Sequence, residues 1–116
     1  MIRLLVIALV IFSASCTRTV DRIPEPDNLI PRKKMVTVLK EMMKLEAHVQ
    51  ANLGQVSNYY IVMERSGDSL LSSYHLDRQI FESSMDYYGS RQVEMKAIYA
   101  DALSQINEEL GELEAK

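Results

Sequence analysis

The side chains in this 116-residue chain that most often carry acid–base, metal or nucleophilic chemistry are two histidines, sixteen Asp and Glu residues and a single cysteine. Neither His48 nor His75 has a Glu three positions before it, so the Glu-x-x-His half-motif of a di-iron bundle is missing. His-Glu-x-x-His is also missing, and Gly54, Gly67, Gly89 and Gly111 are too dispersed for a phosphate-cradling loop. Glu82 and Asp86 lie four apart, and Glu108, Glu109, Glu112 and Glu114 crowd the C-terminus. Paired carboxylates act as acid and base only when burial separates their pKa values, and these sit where a solvated helix face is expected. His48 falls at the edge of a helical stripe, as a surface or partly buried residue rather than a ligand or base. His75 falls at a helix corner, where capping accounts for it. One cysteine excludes an intrachain disulfide and any cluster of thiolate ligands. The expectation is no catalytic residue, no metal, no cofactor and no evident small-molecule substrate.

Cys16 has a different context. Thirteen of the first sixteen residues are apolar or cysteine: Met1-Ile-Arg3 is a short basic start, Leu4–Phe12 is an unbroken apolar run, and Ser13-Ala14-Ser15 precede the cysteine. Nine apolar residues cannot span a bilayer, which needs about 20. They fit the h-region of a secretory signal. The arrangement resembles a bacterial lipoprotein signal, although Ser13 stands where Leu, Val or Ile is usual. The resemblance implies a signal peptide over residues 1–15, cleavage before Cys16, and acylation of Cys16 as the membrane anchor. The alternatives are a free thiol in a secreted protein or an uncleaved anchor. Thr17, in place of an inner-membrane retention aspartate, favours the outer membrane, and the absence of an acidic cluster after the cysteine favours its periplasmic face.

The elements that must position these residues follow from the rest of the sequence. Residues 16–30 read as lipidated cysteine and flexible tether, and all three prolines lie in Pro24–Pro31. Residues 31–116 contain no further proline and few β-branched residues, which predicts an all-α domain. Pro31 suits the first position of helix one. Met35, Val38, Leu39, Met42, Leu45, Val49 and Leu53 follow at helical spacing, with Gly54 as the stop. A second stripe covers Val56, Tyr59, Tyr60, Met63, Gly67, Leu70, Leu71 and Tyr74. Either one helix continues through Gly67 to about Ser73, or Gly67 ends a helix and Asp68 caps the next. Between Leu71 and Phe81, His75 as the left-handed residue lets Leu76 meet Leu71, while Asp77 as N-cap lets Leu76 meet Phe81. A short third helix runs to Tyr88, Gly89 ends it, and Ser90 caps a fourth. There Met95, Ile98, Tyr99, Ala102, Leu103, Ile106, Leu110 and Leu113 form the longest stripe. Short connections predict a small antiparallel bundle of about four helices.

Asn28-Leu29-Ile30-Pro31, Lys34-Met35, Leu39, Glu46-Ala47, Tyr74-His75-Leu76-Asp77, Phe81, Ser84, Tyr87 and Ile98-Tyr99 before Leu103 together resemble an uncharacterised lipoprotein family of the Bacteroidetes type, a helical domain of unknown function of about 100 residues. His75 and Asp77 stand where that family usually has Gly and Thr or Ser. The resemblance implies location and fold and brings no activity. The helix, corner and long last helix also resemble, more weakly, helical substrate-binding domains of periplasmic folding factors.

Charge is unevenly placed. Residues 17–53 carry seven basic and five acidic side chains, and residues 54–116 five basic and eleven acidic. An acidic total argues against nucleic acid. Arg32, Lys33 and Lys34 lie next to the anchor and could touch anionic headgroups, or simply form a solvated first turn. The pairs Met42-Met43, Tyr59-Tyr60 and Tyr87-Tyr88 cannot both point inward, because neighbours on a helix are ~100° apart. Methionine adapts and tyrosine is enriched at interfaces, so these six residues are the candidate partner-binding patch, with wide-stripe core packing as the alternative. The function expected is a lipid-anchored, non-enzymatic module that binds another envelope protein, or alternatively a chaperone-like binder of unfolded envelope proteins.

Overall fold

The computed structural model describes Met1, residues 20–52 and residues 56–116. The signal segment, Cys16, Leu53 and the expected Gly54 stop lie outside them. The described residues form four α-helices and no strand: α1 (Arg32–Asn52), α2 (Val56–Ser73), α3 (Arg78–Gly89) and α4 (Gln92–Glu114). Pro31 precedes the first helix as its cap rather than its first member, because its carbonyl accepts the Met35 N–H at 2.9 Å.

α1 is the central element. It packs against α2 and α4, which do not touch each other among the described residues, while α3 lies against α4 and more lightly against α2. α1 and α2 are antiparallel: Met42 faces Gly67, and Glu46 accepts a hydrogen bond from Tyr59. α1 and α4 run parallel. Arg32 donates to Asp101 and Lys40 to Glu109, both 69 residues apart in sequence, and a constant offset requires two helices climbing in the same direction. The core between them holds Ile30, Met35, Val36, Leu39, Tyr88, Ile98 and Ala102.

Helix α2 continues through Gly67, so the unbroken alternative holds. Gly67 is buried, and a Cβ there would meet Met42 Sδ at an ordinary 3.8 Å. The corner after α2 is a Schellman end. His75 has φ 56°, the Leu76 N–H reaches the Leu71 carbonyl at 2.9 Å, and the His75 N–H reaches Ser72 at 3.0 Å. Asp77 then caps α3, accepting from the Ile80 N–H at 2.8 Å. Leu76 and Phe81 both pack against the core. A non-glycine residue in the left-handed region costs about 1–2 kcal/mol, partly offset because glycine loses more chain entropy on folding. His75→Gly is therefore expected to stabilise the domain by about 0.5–1 kcal/mol in urea titrations; no gain would mean that the imidazole compensates for its backbone.

The next corner differs from the sequence expectation. Gly89 stays inside α3 and does not take a positive φ. Ser90 does not cap α4; that position is Arg91, which makes no side-chain capping bond. The reason is that the Ser90 hydroxyl is already engaged. It donates to the Tyr87 carbonyl at 2.8 Å and accepts the Ile23 N–H at 3.0 Å.

That second bond also alters the tether. From Ile23 onward, the segment expected to be flexible is strapped across α3 and the start of α4. Arg91 donates to the Ile23 carbonyl, Tyr87 to Glu25, and Leu29 closes a turn onto Pro26. Ile30 is buried with both backbone groups paired: its N–H goes to the Ser84 hydroxyl at 3.0 Å, and its carbonyl takes the Tyr88 hydroxyl at 2.7 Å.

Candidate functional site

The antiparallel contact of α1 with α2, and the sharp corner into α3, leave an open groove of about 420 Å³. Met42 from α1, Met63 and Leu71 from α2, and Phe81 from α3 line it, with Gly67 providing room beside Met42. Tyr60 stands at its edge, 69% exposed, edge-on to Tyr59 at 5.4 Å between ring centres. The polar rim is a clamp. Arg78 donates to both oxygens of Asp68, at 3.2 and 2.8 Å, and to Glu64 at 3.1 Å, tying α2 to α3 across the corner.

The structure divides the six residues of the expected Met/Tyr patch. Met42 and Tyr60 line the groove. Tyr59 is half-buried and donates to Glu46 at 3.0 Å, joining α2 to α1. Met43 packs against the core. Tyr87 is half-buried beneath the strap, with the Arg91 guanidinium 3.7 Å from its ring centre. Tyr88 must be removed from the patch: it is 2% exposed, and its hydroxyl is held by Ile30. The two tyrosine pairs do place one ring farther out than the other, as ~100° between neighbours requires.

The basic cluster is mixed. Arg32 pairs with Asp101 at 2.7 Å, Lys33 is exposed and Lys34 half-buried. Arg32 and Lys33 line a surface hollow together with Asp101 and Glu108, so the anions of α4 partly neutralise the cluster. His48 and His75 are both exposed, on α1 and at the α2–α3 corner. Among the described residues, no group of three or more His, Cys, Asp or Glu side chains could hold a metal ion. Glu82 lines the groove, and Cys16 lies outside the described residues.

A second surface was not anticipated. The outer residues of the α4 stripe, read from sequence as core, are exposed: Leu103 by 48%, Leu110 by 53% and Leu113 by 68%. Helix lengths hold the signal that identifies it. α3 has 12 residues and α4 has 23, about 18 and 34 Å at 1.5 Å per residue. With only two residues joining them, α3 cannot cover the far half of α4.

The α1–α4 seam is closed by charge. Glu109 accepts from Lys40 at 2.5 Å and from Lys44 at 2.8 Å, and Glu41 lies within 3.4 Å of both lysines. Lys40 first and Lys44 second hold the Glu109 carboxylate down at about 2, against an ordinary 4.5. The same contact with Glu109 raises Lys40. Because the folded pKa of Glu109 is depressed, the unfolded chain takes up its proton first. Stability from this group is full above about 4.5 and is lost as pH falls toward about 2. Glu109→Gln should flatten the acid limb of stability in that window, measured by urea midpoints at successive pH values. The effect should be modest, because the site is open to solvent. An unchanged slope would remove Glu109 as its source.

A family model described as a domain of unknown function (DUF4296) matches residues 26–112, from the turn at Pro26 to the last turns of α4. No curated protein and no solved structure matches the chain.

Proposed function

Because the chain belongs to the DUF4296 family of domains of unknown function, which carries no assigned activity, we propose its role from its surfaces: a membrane-anchored, non-enzymatic helical module that binds another protein of the bacterial envelope. The anchor in this reading is acylated Cys16, at the periplasmic face of the outer membrane. It is motivated by the apolar run, the small residues and the lone cysteine of Met1–Cys16. No helix among the described residues is long and apolar enough to cross a membrane.

The observation that carries the interaction role is the set of large apolar side chains that folding leaves uncovered, Tyr60 beside the groove and Leu103, Leu110 and Leu113 on α4. Such side chains in continuous patches mark contact surfaces. A photo-reactive residue at position 60 or 110, in full-length protein within its native membranes, should give a discrete protein adduct. The same probe at exposed Gln79 should give none. Equal, diffuse labelling from all three positions would defeat the reading, as would turnover of a hydrolase or isomerase substrate that depends on His48.

One observation favours the chaperone-like alternative. The groove is open and lined by two methionines and a tyrosine, a flexible surface suited to varied apolar segments. That reading requires the protein to suppress aggregation of unfolded envelope proteins, with Tyr60→Ala reducing the effect.

A further inference from the structure

We infer that the groove between α1, α2 and α3 seats a basic apolar peptide segment of a partner protein, with large apolar side chains entering it and a flanking Lys or Arg meeting its rim. This names the partner class of the interaction reading above and rests on it. The lining residues of α2 are Tyr60, Met63, Glu64, Gly67, Asp68 and Leu71, spaced by three, one, three, one and three positions, which places them on a single helical face. Carboxylates and apolar side chains therefore open into the same hollow. α3 repeats the arrangement over one turn, where Arg78, Phe81 and Glu82 all line the groove, and α1 adds Met42. The floor is apolar: Leu71 is buried, and Met42, Met63 and Phe81 are half-buried. Gly67 withholds a side chain beside Met42. A volume of about 420 Å³ is at the small end of ligand clefts, room for a few side chains rather than a whole docked helix.

Charge selects what flanks the apolar side chains of the occupant. Three carboxylates, Glu64, Asp68 and Glu82, line the groove against the single cation Arg78, a formal excess of two negative charges. Asp68 spends both oxygens on Arg78, but Glu64 meets it through Oε1 alone. Glu82 is exposed and takes part in no ion pair among the described residues. The second oxygen of Glu64 and both oxygens of Glu82 thus remain for an incoming ammonium or guanidinium, while an acidic segment would be repelled. Because these oxygens border the apolar floor itself, one short segment can satisfy both.

The test uses full-length protein in phosphatidylcholine nanodiscs, so that no anionic lipid competes for a basic probe. The probes are three short labelled peptides: two leucines flanked by lysines, the same leucines flanked by glutamates, and the lysine peptide with both leucines replaced by alanine. Binding is read by fluorescence anisotropy, relative to empty nanodiscs. The lysine–leucine peptide should bind, more weakly as salt rises, and each of the other two should bind about tenfold or more weakly. Glu82→Lys should reduce binding of the lysine–leucine peptide by about threefold or more, and Tyr60→Ala by about fivefold or more. Both positions are exposed, so helicity by circular dichroism should be unchanged, and Leu110→Ala on α4 should leave binding intact. Equal binding of the lysine and glutamate peptides, no effect of either Glu82→Lys or Tyr60→Ala, or self-association of the chain that Tyr60→Ala abolishes would overturn the proposal. Failure of the lysine–leucine peptide while position 110 still forms its envelope adduct would sink the groove as this site and leave the interaction reading in place.

Discussion

Replacing Tyr88 by alanine is expected to destabilise the domain by about 3–5 kcal/mol, the range for removing a buried aromatic ring from a close-packed core. Tyr88 is 2% exposed, sits in the central cluster with Met35, Leu39 and Ile98, and lies edge-on to Tyr87 at 5.2 Å. Its hydroxyl adds a second role. It donates at 2.7 Å to the carbonyl of Ile30, whose N–H is held by Ser84. Burial raises the Tyr88 pKa above its usual 10, so the hydroxyl remains a proton donor throughout the neutral range. Tyr88→Phe keeps the ring and leaves a buried carbonyl unpaired, at a cost of about 1–3 kcal/mol. A whole domain has only about 5–15 kcal/mol of stability, so the alanine variant should be close to unfolded at moderate temperature. Urea midpoints measure both. A phenylalanine variant as stable as the parent would show that the Ile30 latch contributes nothing net.

The largest functional effect is expected from Cys16→Ala. The proposed anchor attaches through acyl chains that each gain about 0.8 kcal/mol per buried CH₂, and two chains suffice for stable attachment. No apolar span among the described helices could substitute for them. The variant should leave the membrane fraction almost completely and should lose labelling by an alkyne fatty acid. Retention in the membrane fraction without label would instead favour an uncleaved signal segment as the anchor. Release of the parent protein by high salt would reduce the attachment to headgroup contacts at Arg32–Lys34.

What the sequence made legible is mainly local chemistry. The corner from Leu71 to Phe81 is set by near neighbours: carbonyls three and five residues back, a left-handed residue, an aspartate three before Ile80. Its two caps could therefore be read directly. Continuity through Gly67 was legible as an alternative, and packing against Met42 decided it. The Ser90 corner departs from the sequence expectation because a distant backbone, that of Ile23, competes for the same hydroxyl. The Met/Tyr patch divided for a similar reason, since an adjacent pair shows that one member faces out without showing what covers it. Tyr88 lost its surface role to Ile30, 58 residues away. The stripe on α4 reads as core from periodicity alone, because a helical moment records that a face is apolar and not whether another helix is long enough to lie over it.

The parallel run of α1 and α4 has an electrical consequence. Antiparallel neighbours cancel their peptide dipoles, as α2 partly offsets α1, whereas two helices climbing together add them, each with roughly half a positive charge at its start and half a negative charge at its end. Both starts lie at the end where the strap docks, and only seven residue steps separate Ile23 from Cys16, a reach of ~22 Å when extended. With Cys16 acylated as proposed, the positive pole, reinforced by Arg32, Lys33 and Lys34, would be held on a short leash toward the anchor, while the negative pole, with Glu108, Glu109, Glu112 and Glu114, would be directed away from it. On that proposal, an anionic leaflet would favour the rod standing upright, with the far end of α4 turned away from the membrane.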